Sequence, residues 1–297
     1  VSEAFKEVLL EQVIIIVRKQ NPKVRDKVSI VSNLYSPNQT ISYIEQGQLE
    51  EKNTINFASD DDEQSIARKM NQSAILLGEI SENFRGIGAQ KDISQKTPDS
   101  ERILSGKEVQ RFFITNYRNY FITKNNVETY KKATKLRQPK IMCQNIVAHI
   151  PDHIKITATY DDTGLLNLDT VNNIVLKSNS KFLPKYVLAL LNSKLISYFT
   201  YNFIYSKAIR TMHFDGNYSG KIPIKDIPIE KQLLFQEITD KLISLNLRLK
   251  ETGFKKTDET QRIRDEINQI EKNLDSKIYE LYGLDKTDIE IVEKSYA

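Results

Sequence analysis

Arg111, Asn116, Tyr117, Arg118, Asn119, Tyr120 and Lys124 crowd into one stretch, RFFITNYRNYFITKNN, from Arg111 to Asn126. An arginine can grip the edge of guanine with two hydrogen bonds, an asparagine can do the same for adenine, and lysine or tyrosine can hold a phosphate. These are the residue types of a surface that reads base edges. The same stretch also fits a half-buried strand whose aromatic side chains are core and whose polar ones face water, so composition alone leaves both readings open. A second stretch, NFIYSKAIRTMHFDGNYSGKIPIK (Asn202–Lys225), carries Lys207, Arg210, His213, Asn217, Tyr218 and Lys221 around two glycines. Glycine lets backbone approach a phosphate closely, which makes Lys207, Arg210 and Lys221 candidate phosphate contacts.

Catalytic groups are harder to find. His149 and His153 are separated by Pro151, so they do not share a helical face as paired zinc ligands do, and one cysteine, Cys143, cannot build a structural zinc site. The triplet Gly86-Ile87-Gly88 opens no helix and lacks the remaining glycine of a dinucleotide loop, so it reads as a turn. Pro98-Asp99 and Pro151-Asp152 match the start of a magnesium-nuclease signature, but their only acid-x-Lys partner, Asp275 and Lys277, lies deep in a predicted helix. Methylating a base amine calls for Asn or Asp, then Pro-Pro and an aromatic, to hold the amine and stack an extruded base. That tetrapeptide is absent. The sequence assigns no catalytic residue and no metal ligand; a nuclease with an unrecognised metal site stays open as the enzymatic alternative.

The chain has 297 residues and is 39% hydrophobic, enough for two domains or for one with a helical appendage. Its net charge of +4 hides a segregation along the sequence. From Arg102 to Lys140, ten basic residues face only Glu108 and Glu128, a local charge of +8; from Lys177 to Lys225, eight face only Asp215, a local +7. Two basic segments are what a polyanion-binding groove would draw from two parts of a fold; a lysine-rich surface is the plainer reading. The longest apolar run, VIIIV at Val13–Val17, is too short to span a bilayer, so no membrane segment is expected. The lone cysteine points to a reducing, cytoplasmic setting. Val1 falls inside an amphipathic pattern, which reads as a fragment of a longer chain.

The elements that must position these residues change character along the chain. Residues 1 to about 80 suggest a helix, extended pieces at Val28–Leu34, Ile41–Ile44 and Thr54–Phe57, and a short helix begun by Ser59 with acids in its first turn. From Ala74 to about Leu176 short strand patterns follow: AILLGEI, YFIT, PKIMCQNIVAHI, IKITATYD and VNNIVLKS. An α+β fold is expected, with an irregular, mostly antiparallel sheet. Leu234, Ile238, Leu242, Leu245 and Leu249 then form a heptad-like seam, answered by Ile263, Ile267, Ile270, Leu274, Ile278 and Leu281. The short link KETGFKKTDET should fold them into a C-terminal antiparallel helical hairpin, whose commonest use is packing against the sheet; a spacer, a dimer interface or a coiled-coil interaction module for a partner are the alternatives. Gly283 reads as a helix stop before a capped last helix.

In Leu183–Thr200, LPKYVLALLNSKLISYFT, an apolar helical face is interrupted by Asn192, Ser193 and Lys194. Together with the basic loop after it, KIPIKDIPIEKQLLFQEITDKLI and IYELYGL, this stretch resembles the C-terminal specificity (target recognition) domain of TaqI-like adenine-specific DNA methyltransferases. That domain also occurs in fused type IIG restriction-modification enzymes, and it is similar to the recognition domains of type I specificity subunits. ILSGKEVQRFFI, PKIMCQNI and TYDDTGLLNLDTVNNIVLKS extend the resemblance, which runs from about Ser81 to Glu293. FKEVLLEQVIIIVRK resembles the trailing end of a methyltransferase domain. RGIGAQKDIS departs from the family's Gly-x-x-Thr-Gly-x-Asn, so no role carries over to Gln90 or Lys91.

The resemblance implies three parts: 1–80, the end of a methyltransferase domain and a connector; 81–228, a DNA target recognition domain; 229–297, the helical hairpin and last helix. It implies binding to double-stranded DNA, with no cofactor in this chain. S-adenosylmethionine and magnesium would belong to the parent enzyme, whose methyltransferase domain, with or without a nuclease, would be the partner in a cytoplasmic phage-defence system. In the family the Leu-Asn-Ser-Lys helix packs on the recognition sheet, so Asn192 and Ser193 are expected to satisfy local backbone rather than read bases.

Overall fold

The computed structural model describes residues 14–21, 23, 26–32, 37, 39–45, 61–148, 153–208 and 211–296. The N-terminal helix, the Thr54–Phe57 strand and the Ser59 start predicted above lie outside them. An antiparallel pair, β1 (Lys27–Ser32) and β2 (Thr40–Glu45), precedes helix α1 (Asp61–Asn71). AILLGEI, which periodicity reads as one strand, is divided into β3 (Ala74–Leu76) and a helical turn α2 (Leu77–Ile80), and β4 (Ser81–Arg85) follows directly. The division falls where Gly78 crosses Gly220, its N–H bonded to that carbonyl at 2.9 Å; a Cβ on Gly78 would come within 3.2 Å of the same oxygen.

β5 (Ser100–Leu104), the short hairpin β6 (Val109–Gln110) and β7 (Phe113–Ile114), and β8 (Phe121–Thr123) lead to two short helices, α3 (Lys124–Thr129) and α4 (Ala133–Leu136). β9 (Lys140–Gln144) and β10 (Ile146–Ala148) divide PKIMCQNIVAHI at Asn145, and β11 (Ala158–Asp161), β12 (Leu166–Asn167) and β13 (Val171–Leu176) follow. Helices α5 (Pro184–Leu191) and α6 (Lys194–Phe199) continue through a π turn to β14 (Met212–His213), α7 (Gly216–Ser219) and β15 (Pro223–Lys225). The long helices α8 (Ile229–Glu251) and α9 (Asp258–Tyr282), then α10 (Lys286–Lys294), end the chain.

The main sheet is antiparallel throughout, in the order β11-β9-β13-β4. A second sheet, β12-β5-β8, joins β12 to β5 in parallel and β5 to β8 antiparallel, and builds a lobe with α3 and α4 around Ile103, Ile122, Val127 and Leu136. The expected α+β class with its mostly antiparallel sheet is the one observed. Helix α5 is buried on every side from Tyr186 to Leu191, because it lies between β11 and α8. A helix apolar all round belongs in such a layer.

The antiparallel helical hairpin is present, and Lys241 pairs with Glu266 across it at 2.8 Å. Most of the predicted seam is buried. Leu234 is the exception, 56% exposed, because the first turns of α8 pack on α5 rather than on α9. Phe235 takes the inward position against Tyr186, ring centroids 5.4 Å apart, while the Gln232 carboxamide oxygen accepts from Leu183 N at 2.8 Å. Gly283 ends α9 in the left-handed conformation (φ 72°), and Asp285 caps α10, both as the sequence indicates.

Candidate nucleic-acid interface

The polar residues inside LPKYVLALLNSKLISYFT form a joint between two helices. Asn192 ends α5, and its side chain brackets Ala158 on the edge strand β11: Oδ1 accepts from Ala158 N and Nδ2 donates to Ala158 O, both at 3.0 Å. Ser193 caps α6 by accepting from Ile196 N at 3.2 Å, and its hydroxyl donates to Leu190 O at 2.6 Å. Neither residue faces solvent. Asp275 of α9 completes the joint, its Oδ1 accepting from Lys194 N at 3.0 Å.

Burial pushes the Asp275 carboxyl up to about 6, against the pull of the Lys194 N–H bond and of the Arg111 and Lys194 charges. The unfolded value is about 4, so folding takes up a proton between about pH 4 and 6. This contribution to stability is present in full below about pH 4 and is lost as pH rises through about 6. Asp275→Asn keeps an oxygen for Lys194 N–H and removes the buried charge. It is expected to stabilise the fold above about pH 7 by about 1–3 kcal/mol and to flatten the dependence between about pH 4 and 6, which urea unfolding across that range would check.

The joint also holds the β6–β7 hairpin. Phe112 turns its tip with φ 67° and is buried in the main core, its N–H bonded to Ala158 O at 2.9 Å. Arg111 beside it donates from Nε and Nη2 to Glu271 Oε1 of α9, at 3.0 and 2.7 Å, and from Nη1 to the Asn192 carbonyl. At the open end, buried Glu108 accepts from Arg102 Nη2 at 2.8 Å and from Ser105 N at 3.0 Å; Thr115 N donates to Glu108 O and Thr115 O accepts from Arg102. Between Thr115 and Tyr120, both tied to the body, the chain leaves as a short loop.

Asn116, Tyr117, Arg118 and Asn119 are all exposed on that loop, and Asn119 adopts φ 51°. The Arg118 guanidinium bonds the Tyr120 hydroxyl and lies over the Tyr117 and Tyr120 rings, 5.9 and 5.5 Å from their centroids. The Tyr120 hydrogen bond holds the guanidinium above its ordinary pKa, so it stays charged. Tyr120 returns half-buried to β8, its carbonyl accepting from Ile103 N at 3.0 Å, and Lys124 is exposed at the start of α3. Arg111 stands apart from this group because Glu271 and Asn192 occupy it. Lys207, at φ 56°, pairs with Glu63 at 2.8 Å; Lys221 is exposed just past α7; Arg210 lies outside the described residues. Lys207 and Lys221 thus sit on the flank built by α1, α7 and β4, while residues 116–124 belong to the lobe of β5, β8 and β12.

Charge segregated in sequence is partly neutralised in space. In the first basic segment Arg102, Arg111, Lys135, Arg137 and Lys140 pair with Glu108, Glu271, Glu82, Glu101 and Asp161. In the second, Lys181, Lys185, Lys194 and Lys207 pair with Asp226, Asp240, Glu293 and Glu63. A different basic set remains on the lobe. A bridge between Ser94 and Phe121 lays residues 93–96 along β8, and the Tyr130 hydroxyl bonds Asp92, so exposed Lys91, Lys96, Lys124, Lys131 and Lys132 share one part of the fold with Arg118. Lys131 and Lys132 are visible in sequence only as part of a charge count, and Lys91 and Lys96 fall outside the basic run. Among the described residues, no group of three His, Cys, Asp or Glu side chains is placed to hold a metal ion, and no helix is long and apolar enough to cross a membrane.

This geometry falls within a segment that matches a known family. Residues 101–224 match the TaqI-like C-terminal specificity domain. The resemblance read from the sequence holds over that span, which begins in β5 and ends in β15 and so contains the hairpin, the exposed loop and the Asn192 joint. Among solved structures, the chain is similar to the type IIL restriction-modification enzyme MmeI, solved in complex with DNA, with a TM-score of 0.44, 8% identity, and coverage of 74% of this chain and 36% of that one. It is also similar to the HsdS subunit from Thermoanaerobacter tengcongensis, with a TM-score of 0.38, 9% identity, and coverage of 75% and 51%. The chain therefore spans about a third of the first and about half of the second. No curated protein sequence matches it.

Proposed function

We propose that this chain selects a specific double-stranded DNA sequence for a restriction-modification enzyme. It would be the C-terminal specificity part of a type IIG-like protein, whose adenine-specific methyltransferase portion would bind S-adenosylmethionine and whose nuclease, where present, would use magnesium. The setting would be cytoplasmic defence against phage. One observation carries the reading: inside the matched specificity domain, a loop anchored at both ends presents Arg118 between two tyrosine rings, with asparagines on either side.

The major groove is about 12 Å wide and admits a two-stranded ribbon or a short loop. Stacking on Tyr117 and Tyr120 restricts the Arg118 rotamers, so less entropy is lost when its remaining donors meet a guanine edge. Asn116 and Asn119 offer the paired donor and acceptor that adenine requires. Lys91, Lys96, Lys124, Lys131 and Lys132 supply salt-dependent phosphate contacts that fix the register without reading sequence.

Selection from a randomised duplex library at near-physiological salt is expected to enrich a short motif. Arg118→Ala should then relax the preference at one position by about 1–3 kcal/mol, while Lys124→Ala combined with Lys131→Ala should weaken binding to every sequence alike. Equal proportional losses on specific and random DNA from both variants would defeat the proposal.

A further inference from the structure

We infer that Glu271, on the helical hairpin, is a positioning residue for base selection: by fixing Arg111 it sets the angle at which the β6–β7 hairpin presents the loop from Asn116 to Asn119. The inference rests on the DNA reading above and assigns the long helices a part in it.

The hairpin that carries the loop is only two residues per strand, too short to hold its own orientation. Its direction is set by what grips it. At the tip, Arg111 is fixed at three donor nitrogens by two separate elements, two on Glu271 of α9 and one on the carbonyl that joins α5 to α6. A planar guanidinium bound this way fixes rotation as well as distance, which a lysine ammonium could not do. Farther along, the Phe113 ring lies 6.1 Å from that of Phe254, in the connection between α8 and α9 where Gly253 and Phe254 both have positive φ. Arg111 and Phe113 are therefore both held by the helical hairpin.

The loop begins about four residues beyond Arg111, roughly 13 Å along an extended chain. Base readout needs donor–acceptor distances of about 2.7–3.2 Å. Thr115 and Tyr120 pin the ends of the loop itself, so the Arg111 grip acts through β7, setting the angle at which that strand enters the loop, and a small change of that angle is enough to lose a hydrogen bond to a base. Glu271 and Arg111 remain partly accessible, with side-chain exposures of 24% and 19%. Removing the carboxylate charge is consequently compatible with a folded protein.

The test compares dissociation constants for the selected duplex and a random duplex, together with unfolding midpoints, in the wild type, Glu271→Gln, Phe254→Ala and the exchanged pair Arg111→Glu/Glu271→Arg. Glu271→Gln is expected to reduce the specific-to-random ratio about tenfold, the lower part of what one bidentate base contact discriminates, while random-duplex affinity stays within about twofold. Phe254→Ala should move the ratio the same way, and the exchanged pair should recover part of it. A ratio unchanged in Glu271→Gln, with only the unfolding midpoint lowered, overturns this inference alone. A wild type without any preference overturns the DNA reading as well.

Discussion

Lys140→Met is expected to destabilise the protein by about 3–5 kcal/mol, a large part of the roughly 5–15 kcal/mol that holds a domain folded. Lys140 and Asp161 form an ion pair with side-chain exposures of 0% and 2%, and Lys140 Nζ also donates to Leu136 O at 2.6 Å. Burial lowers the Lys140 pKa, and the Asp161 hydrogen bond and charge oppose that. Burial works to raise the Asp161 carboxyl, but bonds from Lys140 and Thr163 outweigh it and hold the group below its ordinary value. The Asp161 carboxylate therefore stays ionised at neutral pH, and Lys140 is the group placed to answer its charge. A methionine of similar length fills the space but leaves a carboxylate buried with Thr163 and Leu165 as its remaining donors. Lys140→Met/Asp161→Asn should recover much of the loss, since asparagine keeps an acceptor for Thr163 without the charge. Denaturant midpoints of the three proteins decide it. A single-variant loss under about 1 kcal/mol would mean that the pair is not charged in the folded protein. Because Leu136 ends α4 and Lys140 starts β9, the pair also ties the basic lobe to the main sheet.

Lys140 also shows where the sequence misleads. It counts as one of ten positive charges between Arg102 and Lys140, yet it is a core residue, because its carboxylate lies twenty-one positions away across a β-ladder. Arg111 does the same over a longer separation, with Glu271 160 residues distant. Charge counts ignore such pairing: about half of each predicted basic segment is held in ion pairs, and the exposed set on the lobe draws Lys91 and Lys96 from outside both. Features written locally survive. Gly283 stops its helix, and the short link folds α8 back against α9. Apolar periodicity fails where a distant backbone intrudes: Gly220 splits AILLGEI, and α5 turns the start of α8 so that Phe235 replaces Leu234 inside.

Asn192→Leu is expected to cost about 2–4 kcal/mol, although it exchanges one fully buried side chain for another of similar size. β11 is an edge strand of the main sheet, and the Asn192 carboxamide acts on it as one residue of a further strand would, meeting both polar backbone groups of Ala158. Leucine removes both partners. The Ala158 carbonyl keeps Phe112 N–H, but its N–H is left buried without an acceptor, which costs about 1–3 kcal/mol by itself. Asn192→Asp separates hydrogen bonding from packing: its oxygen can still accept from Ala158 N–H, whereas its second oxygen would face the Ala158 carbonyl and repel it. Both variants should speed amide hydrogen exchange at Ala158 and Phe112, leucine more at the first and aspartate more at the second. Unchanged exchange at both amides, with stability within about 0.5 kcal/mol of wild type, would show that the carboxamide does not complete the strand. The same residue offers its backbone carbonyl to Arg111, so damage to the bracket is expected to travel into the hairpin and reduce base discrimination as well as stability. A polar residue that reads no base can in this way still be required for reading one.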